Sequence, residues 1–157
     1  MNVRMANHND ADTLIKVRFD YFAVEKLEIA DDKRDLINSH LKEYYSKHLN
    51  LDFFAAFVED DSGNIVSTAF LVIFEKPANL SWPTGKTGMI LNVHTYAKYR
   101  KMGYATKVMN LLIQEAKNQD LSYIELSASE LGKPLYKKLG FKELEHSHFT
   151  EMKMYLL

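Results

Sequence analysis

The sequence predicts an α/β chain: a mixed, largely antiparallel sheet of about six or seven strands with helices on both faces. Three observations predict it. The apolar stretch 52–75 is interrupted by the turn chemistry of Asp61, Ser62, Gly63 and Asn64, and reads as a hairpin. Residues 102–118 place Ala105, Val108, Met109, Leu112 and Ala116 on one helical face. That helix sits between two apolar strands, so the strand–helix–strand crossover should set those strands parallel.

The elements follow in order. Residues 1–6 read as a short strand, and Asn9 or Asp10 offers a helix cap. Ala11, Leu14, Val17, Tyr21 and Val24 then make 10–27 helical. Asp31, Asp32 and Asp35 favour a second helix start through its dipole, and Leu36, Ile37, His40, Leu41, Tyr44, Tyr45 and His48 carry it over 31–48. The hairpin follows. Residues 76–88 contain Pro77, Pro83, Gly85 and Gly88 and read as a loop. Residues 89–95 are a strand, 102–118 the clearest helix, 121–128 a strand, and 130–139 a short helix stopped by Gly140. Residues 141–144 and 149–157 read as late strands, with Met152, Met154 and Leu156 at period two. No linker or repeat interrupts the 157 residues, which read as one domain over 1–157.

Composition narrows the function. Apolar residues make up 46% of the chain, enough for one core, and the formal net charge of −1 argues against a general nucleic-acid binder. The absence of cysteine removes disulfides, thiolate metal sites and a cysteine acyl-intermediate. No apolar run approaches the roughly 20 residues a membrane span needs, and the first residues have no signal-peptide core. The expectation is a soluble, cytoplasmic protein with no membrane partner.

The stretch 99–117 places Arg100, Lys101 and Gly103 at the mouth of the clearest helix. The first amides of a helix lack internal partners and lie at the positive end of its dipole, so a helix opened by glycine beside two cations can grip a phosphate. Glycine at such a turn also serves plain backbone relief. Other phosphate motifs fail. Thr84-Gly85-Lys86-Thr87 resembles the end of a P-loop, but Leu80 stands where its first glycine belongs and a strand follows. The G-x-G-x-x-G of dinucleotide binders is missing.

A second motif lies downstream. Leu91 and Val93 on a strand, Arg100, Gly103 and Ala105 opening a helix, and Leu135, Tyr136, Leu139, Gly140 and Phe141 ending the next one occur in order. Together they resemble the GNAT superfamily of N-acetyltransferases. The resemblance covers nearly the whole chain and implies a splayed pair of parallel strands that admits acetyl-CoA. It implies that Arg100, Lys101, Met102, Gly103, Tyr104, Ala105 and Thr106 surround the pyrophosphate, and that Val93 and Thr95 pair with the pantetheine arm as a sheet edge pairs with an added strand. Ser129 stands where the family commonly has a cofactor-contacting asparagine, Ala105 where glycine is commoner, and Ala97 where proline is usual.

The resemblance makes Tyr136 the general acid. A thiolate whose conjugate acid has a pKa of about 8.5 can take a proton from a tyrosine near 10. Leu135, Tyr136 and Leu139 equally suit a helix face packed on a sheet. An acceptor amine with a pKa near 10.4 needs a base. Glu28, Glu75, His94 and Glu130 are candidates as base or acceptor contact, and no motif chooses among them.

The expected activity is acetyl transfer from acetyl-CoA to a primary amine, in a small molecule or peptide, by direct attack and without metal. The alternative is a non-catalytic acyl-CoA-binding sensor or structural module. The late strands are the segments a homodimer contact would use. His40 and His48 flank Tyr44 on one helix face and read as packing rather than metal ligands; His146 and His148 read as exposed. Trp82 reads as a pocket lid or a loop anchor.

Overall fold

A computed structural model describes residues 1–144, 150 and 152–156. The chain divides into two compact units, Met1–Ser127 and Ala128–Leu157.

The first unit holds a five-stranded sheet in sequence order: β1 (Asn2–Met5), β2 (Phe53–Glu59), β3 (Ile65–Glu75), β4 (Lys86–Thr95) and β5 (Ile124–Glu125). The first four pair antiparallel, and β4 pairs parallel with β5. Between β1 and β2 run α1 (Ala11–Val24) and α2 (Asp31–His48), and α3 (Tyr104–Asn118) makes the crossover.

Strand alternation divides the core. Phe53, Ala55 and Phe57 of β2 and Phe70 of β3 pack with Leu14, Ile15 and Val17 of α1 and Tyr45 of α2. The residues between them, Phe54, Ala56, Val58, Ala69 and Leu71, are equally buried. They form the second face, and α3 packs across the strands with Val108, Met109, Leu112 and Ala116 buried. A strand buried on both faces reads as a continuous apolar run, which is why β2 shows no polar alternation.

Arg4 ties β1 to this frame. Its guanidinium forks onto Asp10 at 2.7 and 2.8 Å and onto Glu59 at 2.6 and 2.8 Å. Asp10 also accepts the Asn7 amide at 2.8 Å, closing a capping box ahead of α1.

Several boundaries differ from expectation. α1 starts after a 3-10 turn at His8–Asp10 and stops at Val24, which is exposed. β4 begins at Lys86, so Gly88 belongs to a strand and not a loop. α3 begins at Tyr104, because Lys101 and Gly103 are left-handed at φ 62° and 79° and cannot join a right-handed helix. β5 has two residues instead of eight, because only Ile124 and Glu125 find register partners on β4.

The second unit contains α4 (Lys133–Lys138), shorter than the expected 130–139 because Ser129–Gly132 forms a turn and Pro134 sets the helix start. Gly140, at φ 98°, ends the segment. The expected late strands are absent among the described residues: 141–144 and 152–156 carry no ladder. Period-two alternation makes a segment compatible with a strand, but a strand exists only where a neighbour supplies hydrogen bonds. His146, His148 and the rest of that expectation lie outside the described residues.

Candidate active site

The β4–β5 seam sets the geometry. The Gly88 amide donates to Tyr123 O at 3.0 Å and the Ser122 amide to Lys86 O at 2.9 Å. A Cβ at Gly88 would stand 2.7 Å from Leu71 Cδ1, 2.8 Å from Leu121 Cδ1 and 3.0 Å from Ile124 Cγ2, so glycine here lets the two strands close. The parallel register ends at Met89↔Glu125. From Ile90 to Thr95, β4 has a ladder partner among the described residues on its β3 side only. Within the first unit that other edge is open.

A bulge then turns β4. Thr68 opposes His94 and Phe70 opposes Leu91, so β4 fits one extra residue. Asn92 takes a left-handed φ of 54° there, a conformation asparagine tolerates better than most residues. Beyond the bulge the Tyr96 amide donates to Val66 O, and His94 O accepts from Ser67 Oγ. Alternation therefore aims the main-chain groups of Val93 and Thr95 at the open edge. Thr95 O already accepts Arg100 Nε at 3.1 Å.

That bond joins the edge to the turn before α3. Ala97–Tyr99 is a single 3-10 turn and Arg100 is extended. Two left-handed residues, Lys101 and Gly103, then bring the chain to Tyr104, with Met102 exposed between them. No side chain among the described residues caps α3. The amides of Tyr104, Ala105 and Thr106 thus face outward at the positive end of a fifteen-residue helix. A Cβ on Gly103 would meet nothing within 4 Å. Its φ, and not lack of room, demands glycine.

His94 is 6% exposed, and its Nε2 has no partner among the described residues. Burial, then the charge of Arg100, pushes its pKa below the ordinary 6.5, against the pull of Asp20 and Glu25. Its ring meets Tyr96 edge-on at 4.8 Å. Tyr96 donates its hydroxyl proton to Asp20 of α1, which Lys16 also holds at 2.6 Å. Burial opposes the Asp20 charge, but these two bonds outweigh it and keep the carboxyl below its usual range.

Glu75 pairs in register with Lys86, at the far end of β4 from Thr95. Nine residues at about 3.3 Å each put it about 30 Å away, so the fold does not bring it to the turn. Glu28 is exposed between α1 and α2. Trp82 anchors its loop, donating Nε1–H to Pro77 O at 2.8 Å with Lys76 Nζ 4.1 Å from the ring. On α2, Tyr44 stacks on His48 at 4.4 Å and on His40 at 5.9 Å, and His48 Nδ1 bonds Asp52.

In the second unit, Ser129 Oγ accepts the Gly132 amide at 3.2 Å and Glu130 pairs with Lys133 at 3.0 Å. A Cβ on Gly132 would stand 2.9 Å from Tyr136 Cε2, so glycine makes room for that ring. Tyr136 meets Phe141 edge-on at 5.9 Å.

Val93, His94, Thr95 and Arg100–Thr106 therefore lie together in the first unit, while Ser129, Glu130 and Tyr136 belong to the second. Sequence reasoning passed over Arg18, Asp20, Asn92 and Tyr96. An asparagine within an apolar strand and an arginine beside the apolar face of α1 were the available signals.

The model of the acetyltransferase (GNAT) family matches residues 19–141. A predicted acetyltransferase of Clostridium acetobutylicum, crystallised with acetyl-CoA, is 30% identical with a TM-score of 0.82, over 97% of this chain and 95% of that one. Two further structures share the fold at lower identity. Glucosamine-6-phosphate N-acetyltransferase of Arabidopsis thaliana is 18% identical (TM-score 0.66; 99% of each chain). Ribosomal-protein-alanine N-acetyltransferase of Brucella melitensis biovar Abortus is 17% identical (TM-score 0.65; 97% of this chain, 100% of that one). A comparison with curated proteins finds no match. A family model spanning most of the chain, on a sheet with this open edge and this helix start, places the chain in the acetyltransferase (GNAT) family.

Proposed function

We propose that this acyltransferase, whose cosubstrate is acetyl-CoA, acetylates a primary amine by direct attack on the thioester. The observation that carries the reading is the pair of left-handed residues, Lys101 and Gly103, opening an uncapped α3 beside the unpaired edge of β4. Bound there, acetyl-CoA supplies the activated acetyl group.

The chain's residues then divide the work. The amides of Tyr104, Ala105 and Thr106, with the Lys101 charge, hold the diphosphate. Val93 offers main-chain groups to the pantetheine amides, while Arg100 keeps Thr95 O and is thereby fixed beside the turn. His94 Nε2 takes the proton released as the amine nitrogen bonds to the carbonyl carbon. Its lowered pKa keeps it neutral, and so able to accept, at neutral pH. As the carbon–sulfur bond breaks, Tyr136 gives its hydroxyl proton to the departing sulfur, the role the family resemblance assigns it. Ser129 spends its hydroxyl on the turn to Gly132, which leaves it a supporting part in cofactor binding. Glu75 is too distant, Glu28 is exposed, and Glu130 is paired with Lys133, so His94 is preferred as base. The two named transferases act on a sugar phosphate and on a protein, so the shared fold leaves the acceptor open.

Calorimetry with coenzyme A, followed by thiol release from acetyl-CoA with a panel of primary amines, tests the reading. Coenzyme A binding with amine-dependent thiol release is the expected result. Binding without release from any amine would favour the acyl-CoA-binding module, and no binding would remove the assignment of the turn.

A further inference from the structure

Two arginines of the first unit are housed in opposite ways. Arg4 is matched by two carboxylates. Arg18, on α1, has none among the described residues. Among the described residues its guanidinium donates one hydrogen bond, from Nη1 to Asn92 Oδ1 at 3.2 Å, and otherwise lies 4.6 Å from the Phe22 ring and 6.0 Å from that of Tyr21. The nearest acid in sequence, Asp20, is engaged by Lys16 and Tyr96.

A guanidinium has five N–H donors and keeps its charge at any accessible pH. Arg18 is only partly exposed, and the side that lies against Phe22 gives up hydration without a counter-charge, a cost that aromatic walls offset only in part. Burial accordingly disfavours the Arg18 charge. Asn92 holds the group in place. It is 3% exposed, it occupies the left-handed position of the β4 bulge, and its Nδ2 donates to Val17 O at 3.4 Å. Among the described residues Arg18 thus presents unused donors at the bulge, two residues along β4 from His94, and on the face of the sheet that α1 covers.

We propose that Arg18, positioned by Asn92, receives an oxyanion on the acceptor, so that the substrate is a primary amine that also carries a carboxylate or a phosphate. This rests on the N-acetyltransferase reading and narrows it: polyamines and other purely cationic acceptors are disfavoured. The anion completes the pairing that Arg18 lacks, while the amine end is left for the base.

Four amines of similar length test this: pentylamine, 1,5-diaminopentane, 5-aminopentanoate and 3-aminopropyl phosphate. Thiol release from acetyl-CoA gives kcat/KM for each with the wild type, Arg18→Met and Arg18→Lys. The wild type should prefer an anionic amine to pentylamine by about tenfold or more, the worth of a charge-assisted contact. The better of the two anions identifies the group. Arg18→Met should erase that ratio, mainly through KM, and Arg18→Lys should restore part of it. A wild-type preference for the diamine, or a ratio that survives in Arg18→Met, overturns the assignment. The Arg18 Nε–H NMR resonance, followed on titration with each amine, decides it without turnover or variant folding. A shift with the anionic amines alone supports the site, and no shift overturns it. Coenzyme A calorimetry run alongside shows separately whether the transferase reading stands.

Discussion

Thr68 and His94 face each other across β3 and β4, and each keeps a buried polar atom, Thr68 Oγ1 and His94 Nε2, with no partner among the described residues. The pair sits where the bulge turns β4 toward α3. An orphaned buried polar atom costs about 1–3 kcal/mol. Such a cost at one spot is consistent with the proposed use of His94 as the base.

The first prediction concerns pH. Above about 6.5, His94 is neutral in both the folded and unfolded chain and adds nothing to the pH dependence of stability. Below that, the unfolded chain takes a proton that the folded chain refuses, because burial and Arg100 depress the folded pKa. Stability should therefore fall as pH drops from about 6.5 to the folded pKa. Denaturant melts of His94→Gln should show a shallower fall in that window. As the proposed base, His94 should also contribute about a hundredfold to kcat/KM. Unchanged kcat/KM in His94→Gln would remove it from the mechanism.

Gly103→Ala separates conformation from space. The added methyl meets nothing, so the whole effect comes from a φ of 79°, which costs a side-chain-bearing residue about 1–2 kcal/mol. The turn should relax, and the affinity for coenzyme A should fall about tenfold in calorimetry. A drop in Tm with unaltered affinity would show that the turn is structural only.

Tyr136→Phe keeps the ring beside Gly132 and Phe141 and removes only the hydroxyl. The variant should bind coenzyme A as the wild type does and lose about a hundredfold or more in kcat. Equal kcat would transfer the acid's role to another group or to water.

How far the fold was legible depended on whether a feature is local. α2 runs over the residues its acidic start and apolar spacing indicate, Asp31–His48, because both signals lie within the helix. The parallel crossover through α3 was equally readable. The bulge at Asn92 was not: an extra residue in β4 is defined only against β3. Gly88 looked like a loop residue beside Pro83 and Gly85, and its reason for being glycine is contact with Leu71, Leu121 and Ile124, remote in sequence. The glycine-opened start of α3 was legible because a helix start is a local event. The role proposed for Arg18 was not, since it rests on the lack of a carboxylate partner among the described residues, which only the folded chain reveals.

Arg4 carries a prediction about acid. It holds Asp10 and Glu59 below their ordinary carboxylate range through the bonds it donates, with burial working against both charges. Their stabilisation is complete above the unfolded pKa values, about 4–4.5, and is lost as pH falls through the lowered folded values. Arg4→Met should cost about 2–3 kcal/mol at pH 7 by denaturant titration, at the lower end for a broken ion pair because Arg4 retains some water contact. The same variant should unfold less steeply with acid. A loss of under about 0.5 kcal/mol would reduce the cluster to a surface pair.

Gly88→Ala tests the seam from which the open edge of β4 begins. Three side-chain carbons lie within 3.0 Å of the new methyl: Leu71 Cδ1 on β3, Leu121 Cδ1, and Ile124 Cγ2 on β5. They are flexible ends, so the strands should move apart rather than fail to fold, at a cost of about 1–3 kcal/mol. That movement separates β4 from β5, where the Gly88 amide holds Tyr123 O. Stability and coenzyme A affinity should fall together, unlike Gly103→Ala, where affinity carries the larger loss. Amide exchange at Gly88 reads the mechanism directly: faster exchange marks a loosened seam, whereas protection equal to the wild type would place the cost in Leu71 and the core behind it.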